Sequence, residues 1–320
     1  MNEAAVTSKG QNAGGIIGGS TSNFPKWKIL NCVNAGNVKA ENTSPFAGAL
    51  AGWIGNNGNC IISNCINVGE IVGYNGNSRM GRTAGTKTNL IDAGTGVTSA
   101  NDYYCSESAT TGDLTYYANR QAGSTVFYQT IGTDDFPIPF NTHGIVNYIS
   151  SAGYTTQYIP STDVTIPTGV EVYAGVISGS AIRLVAIENA ISKEDAVVLK
   201  GSEGYYSFVP TTGVSKAEDN DLLGSDGTVT GGDGIYALAI KNNRVGFYPV
   251  ASTVTIPAGK AYLNTNSGVK AFTFTFDDDA TGINEVQTEQ AIYNIYNVAG
   301  QRINKMQKGI NIINGKKVLF

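Results

Sequence analysis

The chain has one histidine in 320 residues, His143. Ser/His/Asp and Cys/His catalysis each need an imidazole within hydrogen-bond reach of the nucleophile, so a single imidazole leaves little room for either. His143 stands next to Gly144 and close to Pro137 and Pro139, a setting that reads as surface or interface. Charge is scarce too: Asp, Glu, Lys and Arg make up 14%, the net charge is −4 and the pI is about 5.1. Without a basic field to hold a phosphate backbone, no nucleic-acid partner is expected. Apolar runs fall short of the roughly eighteen residues of a spanning helix, which predicts no membrane span. Near Met1 there is no charged segment followed by an apolar stretch, so no signal peptide is visible. Helical periodicity is nearly missing as well, with only Ile191 to Leu199 carrying the signal of a helical turn.

What the chain does have is 40 Gly, over thirty Asn and 17 Tyr, with 41% hydrophobic residues. That is too apolar for a disordered polymer. Excess Gly, Asn, Ser, Thr and Tyr with little Lys and Glu resembles secreted bacterial β-protein. A repeat starts within about a dozen residues of Met1 without the polar cap that stacked-repeat ends need, so the expectation is that Met1 is not the natural start.

Self-comparison organises the first third. Asn31-Cys32-Val33-Asn34-Ala35-Gly36-Asn37-Val38 recurs as Asn64-Cys65-Ile66-Asn67-Val68-Gly69-Glu70-Ile71, and Ala13-Gly14-Gly15-Ile16-Ile17-Gly18 recurs as Ala47-Gly48-Ala49-Leu50-Ala51-Gly52. A degenerate third unit is expected near Ala84-Gly85. Gly and Asn tolerate the left-handed corners of tight β-coils. A unit this small cannot bury its own apolar face, so stacking must supply the core. These features predict a short β-solenoid over residues 1–108, and the recurrence marks the Gly-rich start as structural rather than a phosphate loop.

The same pattern resembles the GLUG-type repeats of bacterial surface proteins and the repeats of large secreted proteins of the Bacteroidetes type. Gly112 to Val146, with Tyr128-Gln129-Thr130-Ile131-Gly132-Thr133-Asp134 as its most distinctive part, resembles the closing segment that follows such repeats. Residues 109–147 are therefore read as a transition segment.

Residues 148–280 read as a β-sandwich. Phe272, Phe274 and Phe276 alternate with Thr273 and Thr275, and Ile182, Leu184 and Ala186 alternate with Arg183, Val185 and Ile187. Val164-Thr165-Ile166-Pro167-Thr168-Gly169 matches Val254-Thr255-Ile256-Pro257-Ala258-Gly259. The region, including Ala196 to Gly201 and Val245 to Tyr248, is similar to a β-module near the C-termini of Bacteroidetes-type secreted proteins. Residues 281–320 read as three short strands joined at Ala299-Gly300, Lys308-Gly309 and Asn314-Gly315. Tyr296 to Arg302 followed by Lys308 to Ile313 resembles the sorting domain of type IX secretion. That resemblance implies export through a dedicated machinery and an extracellular or outer-membrane-associated location.

Candidate chemistry is thin. Cys32 and Cys65 hold equivalent repeat positions and would stack. Cys60 and Cys65 have a pairwise zinc spacing, but no second tight pair accompanies them, so no metal site is assigned. A buried thiol column is favoured over a disulfide. Most carboxylates sit beside Gly, Asn, Ser or Thr as turn formers. No catalytic residue is named, the chain is read as no enzyme, and no cofactor is expected. Calcium is the more plausible ion, with Asp277-Asp278-Asp279 or Asp219-Asn220-Asp221 able to contribute oxygens, although neither has a calcium-loop spacing.

For ligand binding, aromatic faces can stack on a sugar ring while nearby amides and carboxylates bond its hydroxyls. The candidates are Trp27, Trp53, Tyr103, Tyr116 and Tyr205, the three tyrosines each belonging to a Tyr-Tyr pair whose members would face opposite sides of a strand. The sequence thus predicts an all-β chain: a short repeat solenoid, then a sandwich and a small C-terminal β-unit. It predicts an adhesin-like or scaffold module at the cell surface, partnered by an extracellular glycan or by a host or bacterial surface protein. The alternative is the C-terminal accessory part of a secreted polysaccharide-degrading enzyme or protease whose catalytic domain lies upstream.

Overall fold

The computed structural model describes residues 1–10, 12–18, 27–42, 46–52, 60–72, 97–100, 103–104 and 109–276, and four short strands between 295 and 319. It divides into two compact units, Met1–Asp277 and Asp278–Phe320. The fold is all-β, with one helix, Asp113–Ala122, among the described residues.

The repeat units stack in parallel and in register. Trp27–Leu30 pairs with Cys60–Ser63, which pairs in turn with Val97–Ala100. Val33 lies opposite Ile66, and Ile66 opposite Tyr103. Val38 lies between Val6 and Ile71, and Asn12–Gly14 pairs with Phe46–Gly48. The expected third-unit start at Ala84-Gly85 lies outside the described residues.

The Asn-Cys-x-Asn motif explains the register. Asn31 and Asn64 both take the left-handed conformation, at φ 54°, and form the corner. The second asparagine of each motif points inward and is buried. Asn34 Nδ2 donates to Asn67 Oδ1 at 2.7 Å and to Gly36 O in its own turn at 2.9 Å. Asn2 Nδ2 donates to Asn34 Oδ1 at 2.7 Å, and Asn67 Nδ2 to Gly69 O at 2.8 Å. An amide carries donors and an acceptor together, so a column of identical amides satisfies itself. Between rungs the backbones close tightly: a Cβ on Gly69 would lie 2.1 Å from Gly36 O. Small residues, Ala13, Ala47, Ala49 and Ala51, with Ile29, Ile62, Val38 and Cys65, fill the interior.

Residues 109–147, read from sequence as a transition segment, contain the helix. Asp113 lies in its first turn, Leu114, Thr115 and Ala118 are buried, and Gly123 ends it at φ 70°. This glycine supplies the left-handed stop that other residues adopt at a cost. Leu114, Ala118 and Phe127 pack on Val33 and Ile66, which covers one side of the repeat column with apolar surface. The helical turn expected at Ile191 to Leu199 is not there. That stretch is two strands, Ala190–Ile191 and Ala196–Gly201, around a turn. The reason is burial: Ala196, Val197, Val198 and Leu199 are consecutive buried residues, apolar on both faces.

Nine of the strands between 154 and 276 form one sheet. Its order is Tyr154–Tyr158, Ala196–Gly201, Val170–Ser178, Ala181–Ile187, Phe272–Phe276, Arg244–Pro249, Ile235–Lys241, Ala261–Asn264, Leu223–Gly224. Instead of the plain two-sheet packing that alternation suggests, this sheet curls until its ends nearly meet. Tyr158 N donates to Gly259 O at 2.8 Å, and Ala261 N to Thr156 Oγ1 at 3.1 Å. The inward face carries Ile182, Leu184, Val198, Tyr236, Phe247, Leu263 and Phe272, with Phe274 and Phe276 against them. On the outer face Val172, Val197 and Leu199 pack against Ile145, Ile149 and Phe208 of a separate pair, Ile145–Ile149 with Gly204–Phe208.

Among the described residues of the C-terminal unit, four strands, one more than the sequence reading, form an antiparallel sheet in the order Arg302–Ile303, Ile295–Asn297, Ile310–Ile313, Lys316–Leu319.

Candidate functional site

Two of the five predicted aromatic residues come together. Tyr148 and Tyr205 face each other directly across the antiparallel pair Ile145–Ile149 and Gly204–Phe208, with ring centroids 4.8 Å apart. Tyr116, from the helix, closes the group at 5.9 Å from Tyr148 and 5.7 Å from Tyr205. The rings are tilted by 37–59° and each is half-buried, so the cluster keeps an aromatic surface toward solvent. Strand alternation puts Tyr205 on this outer face while Tyr206 packs against the core with Phe208. Tyr116-Tyr117 lies on a helix, so the alternation expected for it does not apply. Tyr117 is simply exposed.

A carboxylate borders the cluster. The Tyr148 hydroxyl donates to Glu203 Oε1 at 2.6 Å. That hydrogen bond, followed by burial and the charge of Glu203, pushes the phenol up to about 12. The site therefore presents aromatic rings beside a carboxylate, an arrangement suited to stacking an apolar ring face and bonding its polar substituents.

The other candidates are placed differently. Trp27 opens the strand Trp27–Leu30, opposite Cys60, and Tyr103 opens Tyr103–Tyr104, opposite Ile66. Trp53 lies outside the described residues, as do Asp277-Asp278-Asp279. In the other acidic turn Asn220 Oδ1 accepts from Gly175 N and Leu222 N, and Asp221 Oδ2 accepts from Ile177 N at 2.7 Å. These side chains pin the strand Val170–Ser178 in place. His143 Nδ1 lies 2.9 Å from Asp134 Oδ2, and the same carboxylate oxygen accepts from Thr130 N at 2.6 Å. Gln129, fully buried, accepts from Thr115 Oγ1 at 2.7 Å and donates to Ala109 O at 2.6 Å, which ties the helix to this segment. Cys32 and Cys65 are thiols, not joined in a disulfide. The hydrogen bond from Cys65 holds the Cys32 thiol down at about 6, against the opposing effect of burial.

Comparison with protein families, with curated proteins and with solved structures finds no match to this chain. The site must be read from its own chemistry.

Two features were not singled out from sequence. Tyr148 stands singly between Asn147 and Ile149 and lacks the doublet that marked the other tyrosines. Lys260 follows the second Ile-Pro-x-Gly turn, at the place where the first turn is followed by buried Val170. The two turns are alike: Val170 N donates to Pro167 O at 3.2 Å and Lys260 N to Pro257 O at 3.3 Å, with Gly169 and Gly259 at φ 85° and 76°. A lysine where the internal match has a core valine was the available signal. Its Nζ reaches Thr155 Oγ1 at 3.1 Å, Asn147 Oδ1 at 3.3 Å and Thr156 O at 3.3 Å. Burial, helped by the charge of Arg120, pulls the ammonium down to about 8.

Proposed function

We propose that the chain is a non-catalytic, exported cell-surface module that binds or scaffolds through its β-surface. Its partner is an extracellular glycan or a surface protein. The observation that carries this reading is the convergence of Tyr116, Tyr148 and Tyr205, from a helix and two strands far apart in sequence, into one half-exposed aromatic group edged by Glu203. Three rings on elements held by the core form a preorganised platform, which lowers the ordering cost of binding. The resemblance of the tail to a sorting domain supports export and outer-membrane association. Localisation of the natural protein in fractionated cells tests that part.

The binding reading is tested on an array of glycans and matrix proteins probed with the full chain, with and without calcium. Retention of a definite glycan or protein class is the expected result, weakened by Tyr205→Ala. Clean absence of binding to every class would overturn it.

A further inference from the structure

Beside the strand Ile145–Ile149, on the side opposite to the tyrosines, a cleft of about 670 Å³ opens over the Ile235–Lys241 and Arg244–Pro249 hairpin. Its volume falls in the range of small-molecule sites. Ala237, Ala239, Val250 and Val254 give it an apolar wall, and Val254 is 50% exposed. Lys260 lines the same cleft. Its ammonium has only neutral acceptors, Thr155 Oγ1, Asn147 Oδ1 and Thr156 O, at 3.1–3.3 Å, the long end for a hydrogen bond. Among the described residues no carboxylate pairs with it. Arg120 bears on Lys260 by charge, and Lys241, 5.2 Å over the Tyr248 ring, lines the same cleft.

An apolar wall with a weakly bonded, unneutralised cation is complementary to one kind of ligand. We propose that this cleft binds an amphipathic carboxylate, its hydrocarbon chain against Ala239 and Val254 and its carboxylate exchanged into the bonding shell of Lys260. A carboxylate offers shorter, charge-assisted bonds than the neutral oxygens now present. The hydrocarbon chain covers apolar side chains that now face water. Neither half suffices alone: a free small anion lacks the wall, and a neutral chain lacks the counter-charge.

The test is calorimetric titration of the full chain with decanoate, decanol and acetate. Decanoate should bind about tenfold tighter than decanol, the factor that one charge-assisted hydrogen bond supplies, and acetate should not bind measurably. Lys260→Met should bring decanoate to the level of decanol, and Ala239→Trp, which crowds the wall, should weaken both. Equal binding of decanoate and decanol by the native chain, a preference that survives Lys260→Met, or no binding of either would overturn the proposal. Should Lys260→Met fail to fold, Ala239→Trp still decides, since decanoate affinity unchanged by it would exclude this cleft.

Discussion

The repeat stack and the nine-stranded sheet bury polar groups by opposite means. In the stack, Asn34 and Asn67 occupy the same place on successive rungs, and each amide completes the next. The solution is periodic, uncharged and tied to one register, because a slip by one residue would turn every amide to the other face. In the sheet, Lys260 is satisfied by three unlike groups, on Asn147, Thr155 and Thr156, and its charge is left unneutralised. A periodic arrangement holds structure. A solitary one that leaves a charge unbalanced is where a ligand has something to add.

The largest effect should come from breaking the closest approach in the stack. Gly69→Ala would force a Cβ to within 2.1 Å of Gly36 O, a backbone atom that cannot rotate away. A loss of about 3 kcal/mol or more is expected in chemical denaturation. Asn34→Ala should follow, at about 2–3 kcal/mol, since it leaves Asn67 Oδ1 and Gly36 O buried without this donor. A stability for either variant equal to the native value would mean that the column does not hold the stack.

The sheet should answer differently. Lys260→Met should cost far less than Asn34→Ala at neutral pH, because removing an unneutralised cation offsets the lost hydrogen bonds. Its signature lies in pH. The folded state holds Lys260 at about 8 against 10.5 for the free side chain, so the unfolded chain binds the extra proton between those values. This contribution makes the native protein gain stability as pH rises from about 8 to 10.5. The gain should vanish in Lys260→Met, which denaturation midpoints across that range would show.

The smallest effect concerns the tyrosines and has the opposite sign. Tyr148 is held at about 12 against 10.0, so in this window the folded state keeps a proton that the unfolded chain loses. The stabilisation is complete below pH 10 and is lost as pH rises through 12. Ultraviolet titration should show one phenol ionising near pH 12 that is missing in Tyr148→Phe. A native titration identical to that of the variant would remove the Tyr148–Glu203 bond from the account.

Much of this contrast was legible in the residues. The matched Asn-Cys-x-Asn and small-residue segments told which positions stack, because periodic burial leaves a periodic sequence. The Phe272, Phe274, Phe276 alternation told which face is apolar. Alternation fixes faces but not curvature, so nothing in these strands announced that the sheet would curl until Tyr158 meets Gly259. The helix Asp113–Ala122 carries little apolar period, since only Leu114, Thr115 and Ala118 of its ten residues are buried, although Asp113 and Gly123 are ordinary start and stop signals. Within the site, the Tyr-Tyr doublets flagged Tyr116 and Tyr205, whereas their meeting depends on the pairing of Tyr148 with Tyr205 across two strands joined by a long excursion. Such non-local pairing has no local signal.

The most direct test of the central claim is calorimetric titration of whichever oligosaccharide or surface-protein fragment the array selects, into the native chain and into Tyr116→Ala, Tyr148→Ala and Tyr205→Ala. Each variant should retain the native far-ultraviolet spectrum and bind about tenfold or more weakly, as loss of one central aromatic contact does. Native affinity in all three would contradict the account and move recognition away from the tyrosine platform.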